Sequence, residues 1–316
     1  MQKDLRIVFM GTPDFAVGVL KKIVESGKNV VGVITAPDRP AGRGRKLMGS
    51  AVKEYALSQN LTILQPLNLK DKNFLKDLKE LNPNLQVVVA FRMLPKVVWQ
   101  MPEYGTFNLH ASLLPQYRGA APINWAIING EEKTGVTTFF IDEKIDTGEI
   151  IANREIQIEK YENAETLHDK LMKAGSQLVL STLELIEKGT ATPKPQQKNS
   201  DLRDAPKLTP ENTRIDWQKP GADIEAFIRG LSPYPVAWSI LINENKELKA
   251  KIYNAVFEKA EHTSELGKIE TTKKELIIAC LDGYMQIKEI QLPGKRKMEV
   301  SSLLNGYSFS EDSKLL

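Results

Sequence analysis

The sequence contains a single cysteine, Cys280, in 316 residues. One cysteine cannot form a disulfide within the chain, and it cannot supply the thiol cluster of a zinc or iron–sulfur centre. Histidine is also scarce, because His110, His168 and His262 are scattered and no His-Glu-x-x-His pattern occurs. These absences predict a protein of a reducing compartment that needs no metal.

Long apolar runs are absent as well. Crossing a bilayer as a helix takes about 20 apolar residues, and the most apolar segment, LQVVVAFRMLPKVVW, is interrupted by Arg92 and Pro95. The opening residues MQKDLRIVFMGTP are not typical of a secretion signal, because their apolar run is short and ends at a glycine. We therefore expect a cytoplasmic protein with no membrane partner.

An excess of one charge is also lacking, because 43 Lys and Arg residues face 40 Asp and Glu residues and the formal net charge is +3. Such a small excess does not by itself predict nucleic-acid binding, although a local cluster still can. The length exceeds that of one ordinary domain, and the apolar fraction of 41% is enough for each of two domains to bury a core.

Apolar strand-like runs alternate with amphipathic helical segments through the first part of the chain. The runs LRIVFMG, NVVGVIT, LTILQP, LQVVVAF and GTFNLHAS are typical of strands, several of them fully buried. The alternation predicts an α/β domain with a doubly wound, mostly parallel, Rossmann-like sheet covered by helices on both faces. Ligands of such sheets bind beyond the carboxyl ends of the strands.

The composition changes after residue 189. Residues 190–206 are rich in Pro, Gln, Asn and Thr and poor in apolar side chains, which is typical of a linker. From residue 207 one helix is followed by short alternating strands, which predict a small OB-like β-barrel, a fold that often binds nucleic acid. We expect a catalytic domain over 1–189, a linker over 190–206 and a C-terminal domain over 207–316.

The segment FNLHASLLPQYRGAAP places Asn108 and His110 two residues apart near the carboxyl end of the fifth predicted strand. Residues at that spacing share a face of a strand. A neutral imidazole accepts a proton from an attacking amine, and an amide N–H stabilises an oxyanion, so the pair suits attack on a carbonyl. The structural alternative is an Asn that caps a turn beside a His bonded to backbone.

A carboxylate that orients such a histidine is offered by Asp142 or Asp146 in FFIDEKIDTGEI. Asp146 is the better candidate because Thr147 and Gly148 form a tight turn that can direct its side chain. Aspartic proteases also contain Asp-Thr-Gly, but they pair two copies and this chain has one. An ordinary turn aspartate is the alternative.

The segment PDRPAGRGRKLMGS is glycine-rich and basic. It predicts a loop that contacts phosphates and becomes ordered on binding, although a plain solvated loop is the alternative. Its candidate contacts are Arg39, Arg43, Arg45 and Lys46. The dinucleotide fingerprint Gly-x-Gly-x-x-Gly and the Walker pattern are both absent, which counts against a dehydrogenase.

These motifs resemble one family. GTPDFA, PDRPAGRGRKLM, FNLHASLLPQYRGAAPINWAI, TGVT, IDTGEI and KLTPENTRIDW occur in the order seen in methionyl-tRNA formyltransferases. The Asn-x-His-x-Ser-Leu-Leu-Pro segment and Asp-Thr-Gly are shared with all folate-dependent formyltransferases. The basic loop and the C-terminal domain are similar to those of the tRNA-specific branch.

The resemblance implies transfer of the formyl group of 10-formyltetrahydrofolate to the α-amino group of methionine on initiator tRNA. It implies that the catalytic residues are Asn108, His110 and Asp146. It implies folate contacts at Ser112, Leu113, Leu114 and Pro115. It implies tRNA contacts at Arg39, Arg43, Arg45 and Lys46, with Arg43 entering the acceptor stem. The segment AFRMLP departs from the family's usual A-Y-G-L-I-L-P because it is shorter and contains Arg92.

Three alternatives remain open from the sequence. A formyltransferase for a small amine, such as a sugar nucleotide or glycinamide ribonucleotide, would keep Asn108, His110 and Asp146 but would not need the basic loop or the barrel. A catalytically silent RNA-binding protein and a dehydrogenase are the others. We expect a monomer whose partners are initiator Met-tRNA and the folate donor, with no metal.

Overall fold

The computed structural model describes residues 3–41, 46–197 and 201–316, with the backbone alone described at residues 41 and 46. In chain order the strands are β1 (Ile7–Gly11), β2 (Val30–Ile34), β3 (Arg39–Ala41), β4 (Lys46–Met48), β5 (Ile63–Leu64), β6 (Leu85–Val89), β7 (Thr106–His110), β8 (Arg118–Gly119), β9 (Lys133–Phe140), β10 (Ile150–Gln157), β11 (Asp204–Ala205), β12 (Ala237–Asn243), β13 (Lys246–Lys259), β14 (Ile269–Thr271), β15 (Leu276–Cys280), β16 (Gly283–Gln291), β17 (Met298–Glu299) and β18 (Lys314–Leu315). The helices are α1 (Asp14–Glu25), α2 (Ala51–Ser58), α3 (Lys72–Glu80), α4 (Lys96–Trp99), α5 (Pro122–Ile128), α6 (Ala164–Lys188), α7 (Gly221–Leu231) and α8 (Val300–Leu304).

The backbone divides into two compact units, neither of which is continuous along the chain. The first unit contains Met1–Gly119, Thr134–Gln157 and His168–Asp204. The second contains Ala120–Lys133, Ile158–Leu167 and Ala205–Leu316. The domain boundaries that the sequence predicts, at residues 189 and 207, stay predictions.

The first unit is built on a sheet with the strand order β10-β9-β7-β6-β1-β2-β5. In the part of the sheet with the order β7-β6-β1-β2-β5, neighbouring strands run parallel, as the alternation of strands and helices predicts. The connection from each of these strands to the next along the chain contains a helix, which returns the chain to the same edge. Strand β9 is antiparallel to β7. The sheet is therefore mostly parallel, and its parallel strands end together at one edge.

Helices cover both faces of this sheet. On one face Val8, Met10 and Val88 pack with Phe74 and Leu78 of α3. On the other face α6 comes so close to β7 that a Cβ atom at Gly175 would lie 2.8 Å from Leu109 Cδ2. The central strands are thus buried from both sides, which explains why they are continuous apolar runs rather than alternating ones.

The second unit contains an antiparallel sheet with the order β14-β15-β16-β13-β12-β18, and β17 pairs with β16. The outer strands meet, because Ile269 N donates to Ser313 O at 3.0 Å and Leu315 N donates to Gly267 O at 2.8 Å. These bonds nearly close the sheet into a barrel and leave little of its edge unpaired. The predicted fold class, an α/β domain with a small β-barrel, is confirmed.

None of the helices in the described ranges combines the length and the apolar character needed to span a bilayer.

Candidate active site

Asn108 and His110 lie at the carboxyl end of β7, which is the edge where the parallel strands β6 and β1 also end. Asn108 pairs with Val88 of β6, and His110 pairs with Thr137 of β9. Because side chains alternate along a strand, both residues project from the same face of the sheet. The same-face relationship predicted from their spacing is therefore present.

The ring of His110 is buried, and one of its nitrogens is hydrogen-bonded. Its Nε2 donates to the backbone carbonyl of Tyr117 at 2.7 Å. A carbonyl oxygen only accepts, so Nε2 carries a hydrogen, and in the neutral ring Nδ1 is the nitrogen with a free lone pair. That Nδ1 lies 3.8 Å from Asp146 Oδ2, beyond hydrogen-bond length but close enough for a charge interaction when the ring is protonated.

Asp146 occupies a turn that directs its carboxylate at the histidine. Its φ is +54°, an uncommon value for a residue with a side chain, and the surrounding bonds hold it there. Gly119 N donates to Asp146 Oδ2 at 3.0 Å. At Gly148 a Cβ atom would lie only 1.7 Å from Phe140 O, so the glycine of Asp-Thr-Gly is required by close backbone approach.

The other carboxylate that the sequence offered, Asp142, shapes the same turn. Thr147 Oγ1 donates to both of its oxygens, at 2.8 and 2.9 Å, and Lys144 N donates at 3.0 Å. Its oxygens are thus occupied by an Asx-type turn. The structure therefore brings Asp146, and not Asp142, to His110.

The carboxamide of Asn108 is half-buried, and no hydrogen-bond partner for it is found among the described residues. A strand-end Asn that served only to cap a turn would have its amide bonded to the backbone. The unbonded Asn108 amide beside His110 is available to a substrate oxygen.

The segment predicted to border the folate is fastened to β9. Thr137 Oγ1 donates to Ser112 O at 2.7 Å and accepts from Leu114 N at 3.2 Å. The hydroxyl of Ser112 donates to Gln116 O at 2.6 Å, so it closes its own turn. Leu114 is buried, whereas Leu113 and Pro115 are half-buried. The folate contacts of this segment stay a prediction.

A groove of about 630 Å³ lies beyond the ends of β5 and β6, between residues 67–70 and residues 92–97. Arg92 joins its walls by donating to the carbonyls of Pro66 and Leu67. Burial, together with the nearby positive charge of Arg39, lowers the pKa of Arg92. The groove therefore combines exposed apolar side chains, such as Leu67 and Met93, with a cationic rim.

The basic loop is only partly described. Arg39 is exposed at the start of β3, and the backbone of Lys46 begins β4, which pairs antiparallel with β3. Arg43 and Arg45 lie outside the described residues. The base of the loop is clamped, because Thr35 Oγ1 and Ser50 Oγ are 2.6 Å apart in a hydrogen bond. Asp38 also pairs with Lys53 at 2.5 Å.

Two residues at this site were missed in the sequence. Tyr117 acts through its backbone carbonyl, for which no side-chain signal exists. Gln196 lies in the predicted linker, yet its amide bonds the turn that contains Asp146. In the described part of the chain no group of three or more His, Cys, Asp or Glu side chains is arranged to hold a metal ion.

Comparison with known proteins identifies the family. The formyl transferase model matches residues 5–183, and the formyl transferase C-terminal domain model matches residues 207–308. The chain belongs to the formyl transferase family. This membership agrees with the resemblance drawn from the motifs. It counts against the alternative that the protein is a dehydrogenase.

Curated relatives place the chain within that family. It is 61% identical to the methionyl-tRNA formyltransferase of Flavobacterium johnsoniae over 99% of both chains. It is 58% identical to the methionyl-tRNA formyltransferase of Flavobacterium psychrophilum over 98% of both chains. The predicted resemblance to methionyl-tRNA formyltransferases is therefore confirmed.

Among solved structures, HypX from Aquifex aeolicus in complex with tetrahydrofolic acid is similar in fold, with a TM-score of 0.64 at 19% identity. The match covers 96% of this chain and 47% of HypX, so the chain spans about half the length of that protein. At this identity the likeness supports the fold alone.

Proposed function

We propose that the protein transfers the formyl group of 10-formyltetrahydrofolate to the α-amino group of methionine on initiator tRNA. The observation that carries the proposal is the meeting of Asn108, His110 and Asp146 at one strand end, in a chain that belongs to the formyl transferase family over both of its domains. The product is N-formylmethionyl-tRNA, which serves translation initiation.

The reaction needs an acceptor for one proton and a donor to one oxygen. The amine lone pair attacks the formyl carbon, and the carbonyl electrons move to oxygen. The bond from that carbon to the folate nitrogen then breaks, and the nitrogen takes up a proton. The unbonded amide of Asn108 is positioned to donate to the oxyanion, the type of contact that commonly contributes most to such reactions.

His110 supplies the proton acceptor through Nδ1. Because Nε2 is committed to the Tyr117 carbonyl, Nδ1 is the ring nitrogen that exchanges a proton with the reactants. When Nδ1 is protonated, the positive charge of the ring lies near the carboxylate of Asp146, whose Oδ2 is 3.8 Å from Nδ1. The negative charge of Asp146 stabilises the imidazolium, and no covalent intermediate with the protein is needed.

The groove beside residues 92–97 suits the folate donor. A folate has an aromatic ring system and an acidic glutamate end. The apolar side chains of Leu67 and Met93 offer contact area to the rings, and the charges of Arg39 and Arg92 favour the carboxylates. The short AFRMLP turn therefore serves the donor through Arg92 as well as through its apolar residues.

The tRNA is bound through phosphate contacts of the basic loop and of the barrel. The loop offers Arg39, Arg43, Arg45 and Lys46 from the sequence. In the second unit Lys249 Nζ lies 3.9 Å from the centre of the Trp238 ring, and Lys297 Nζ lies 5.2 Å from that of Tyr253. Basic groups beside aromatic faces are typical of surfaces that bind nucleic acid.

A transfer assay tests the function directly. Purified protein is given 10-formyltetrahydrofolate with initiator Met-tRNA, elongator Met-tRNA or glycinamide ribonucleotide, and His110→Ala is run alongside. We expect rapid transfer to the initiator alone, and a loss of about 10²–10⁴-fold in the variant. Transfer to the small amine alone would instead show that the basic loop and the barrel do not select the acceptor.

Cytoplasmic location and a monomeric state accompany this proposal as predictions. A sedimentation experiment on the purified protein, with and without tRNA, measures the second of them.

A further inference from the structure

The side chain of Gln196 connects two parts of the candidate site. Its Nε2 donates to the backbone carbonyls of Asp146 and Gly148, at 2.9 and 2.8 Å. Its Oε1 accepts from Arg118 Nη2 at 2.5 Å and from Arg118 Nε at 3.2 Å. Both the nitrogen and the oxygen of this half-buried amide are therefore bonded, and each has two partners.

The residues on either side of Arg118 hold the catalytic pair. The carbonyl of Tyr117 accepts from His110, and the N–H of Gly119 donates to the Asp146 carboxylate. Gln196 adds a side-chain link between this segment and the backbone of the Asp146 turn. Histidine, carboxylate and turn are thus fixed to one short segment.

The turn needs such a link because its backbone is strained. Asp146 has a φ of +54°, which costs energy for a residue with a side chain and persists only when neighbouring groups enforce it. The segment that carries Gln196 is itself anchored, since Ile150 and Lys194 exchange backbone hydrogen bonds at 2.8 and 2.9 Å. The donor atom Nε2 is therefore held by secondary structure and by Arg118.

We propose that Gln196 is a positioning residue that sets the carboxylate of Asp146 against Nδ1 of His110. It acts through Asp146 and touches neither the formyl donor nor the amine. The expected changes in rate rest on the function proposed above. The structural part of the proposal, that Gln196 holds the Asp146 turn in place, does not.

The test compares Gln196→Ala and Gln196→Glu with the matched control Gln197→Ala, which removes an exposed neighbouring glutamine. Gln196→Glu keeps an acceptor for Arg118 but cannot donate to the carbonyls of Asp146 and Gly148. We expect both Gln196 variants to lose about 10- to 100-fold in kcat, the order of effect of a displaced catalytic group, with KM for either substrate unchanged. The control keeps wild-type kcat.

A double-mutant cycle with Asp146→Asn separates positioning from general stability. If Gln196 acts through Asp146, then Gln196→Ala causes little further loss of kcat in the Asp146→Asn background. The proposal would be overturned if the double variant lost as much kcat as the product of the two single losses, because the two residues would then act independently. Gln196 variants whose kcat equals that of the wild type would also overturn it.

Hydrogen exchange of the Gly119 amide provides a readout that does not depend on activity. This amide donates to Asp146, so we expect it to exchange faster in Gln196→Ala than in Gln197→Ala, with the thermal midpoint of the two variants alike. Unchanged exchange would overturn the structural part of the proposal. If the wild type failed to formylate Met-tRNA while the Gly119 amide still responded, the proposed function would fail and the positioning role would stand.

Discussion

His110 Nδ1 lies 3.8 Å from Asp146 Oδ2, while Nε2 of the same ring is bonded to the carbonyl of Tyr117. The geometry leaves one nitrogen for proton exchange and places a negative charge beside it. A proton bound at Nδ1 is therefore stabilised by the carboxylate of Asp146. The first prediction concerns the loss of that negative charge.

Asp146→Asn removes that charge and retains an oxygen that can accept from Gly119 N. We expect kcat to fall by about 10²–10⁴-fold, the usual contribution of acid–base catalysis, with little change in either KM. The matched control is Asp142→Asn, which still accepts from Thr147 and Lys144 and should keep nearly full activity. Equal losses in both variants would contradict the assignment of Asp146 to the reaction.

Arg43→Ala tests the basic loop. We expect weaker use of Met-tRNA, seen as a higher KM and a reduced dependence of that KM on salt, because one phosphate contact is lost. Hydrolysis of the folate donor without tRNA should be spared. An equal loss of both activities would show that the loop serves the donor as well.

The clamp at the base of the loop should have a smaller effect. Hydrogen bonds from Gln65 and, to a smaller extent, from Lys53 lower the pKa of Asp38. The carboxylate of Asp38 therefore stays charged at a pH where an ordinary aspartate begins to be protonated. Lys53→Met should raise the KM for Met-tRNA by no more than about fivefold, the worth of an exposed ion pair. Lys21→Met, which removes a cation from the pair Lys21–Glu25 in α1, is the control. A change larger than that of Arg43→Ala would mean that Lys53 itself contacts tRNA.

Gly230→Ala tests packing within the second unit. Alanine normally stabilises a helix relative to glycine by about 1 kcal/mol, but here the added Cβ would lie 2.9 Å from Asn124 O and 3.0 Å from Ile128 N. Those are backbone atoms of α5 and cannot move easily, so we expect a destabilisation of about 1–3 kcal/mol in urea unfolding.

Gly18→Ala in α1 provides the contrast. Its added Cβ would meet the flexible side chain of Met172, at 2.6 Å from the sulfur, and that side chain can change rotamer. We expect a change near zero. If Gly230→Ala were equally neutral, the close contact of α5 with α7 would be wrong.

Cys280 makes stability depend on pH. Burial, with a further contribution from the charge of Asp282, raises the pKa of this thiol. The folded state therefore keeps the proton more tightly than the unfolded state, so its stabilising effect is present below the ordinary thiol pKa and is lost as the pH rises above it. The free energy of unfolding should fall on going above about pH 8.5, by up to about 1.4 kcal/mol per pH unit.

Cys280→Ala should lose that part of the pH dependence, and the comparison of the two urea series isolates it from the titration of tyrosine and lysine. Identical slopes for wild type and variant would refute the shift.

Local patterns predicted much of the first unit. The run LRIVFMG became β1, and the helix that follows ends before Gly27, whose φ of +72° suits glycine. The antiparallel direction of β9 was not predicted, because an apolar run carries no information about its direction in the sheet. In the barrel, Glu244 and Asn245 form the turn between β12 and β13, and both have a positive φ. Asn is common at such positions and Glu is not, so the sequence gives only a weak signal for this turn.

Periodicity and short motifs are properties of neighbouring residues, so they were enough to predict the fold class, the family, and the shared face of Asn108 and His110. The folded chain was needed to show that Asp146 rather than Asp142 lies beside His110, and that Gln196 is bonded to the Asp146 turn. Those relationships join residues far apart in the chain, and the bonds of Gln196 to the turn are made to backbone carbonyls, which leave no pattern in the sequence. A segment rich in Pro and Gln has the composition of a linker whether or not one of its side chains is bonded to an active site.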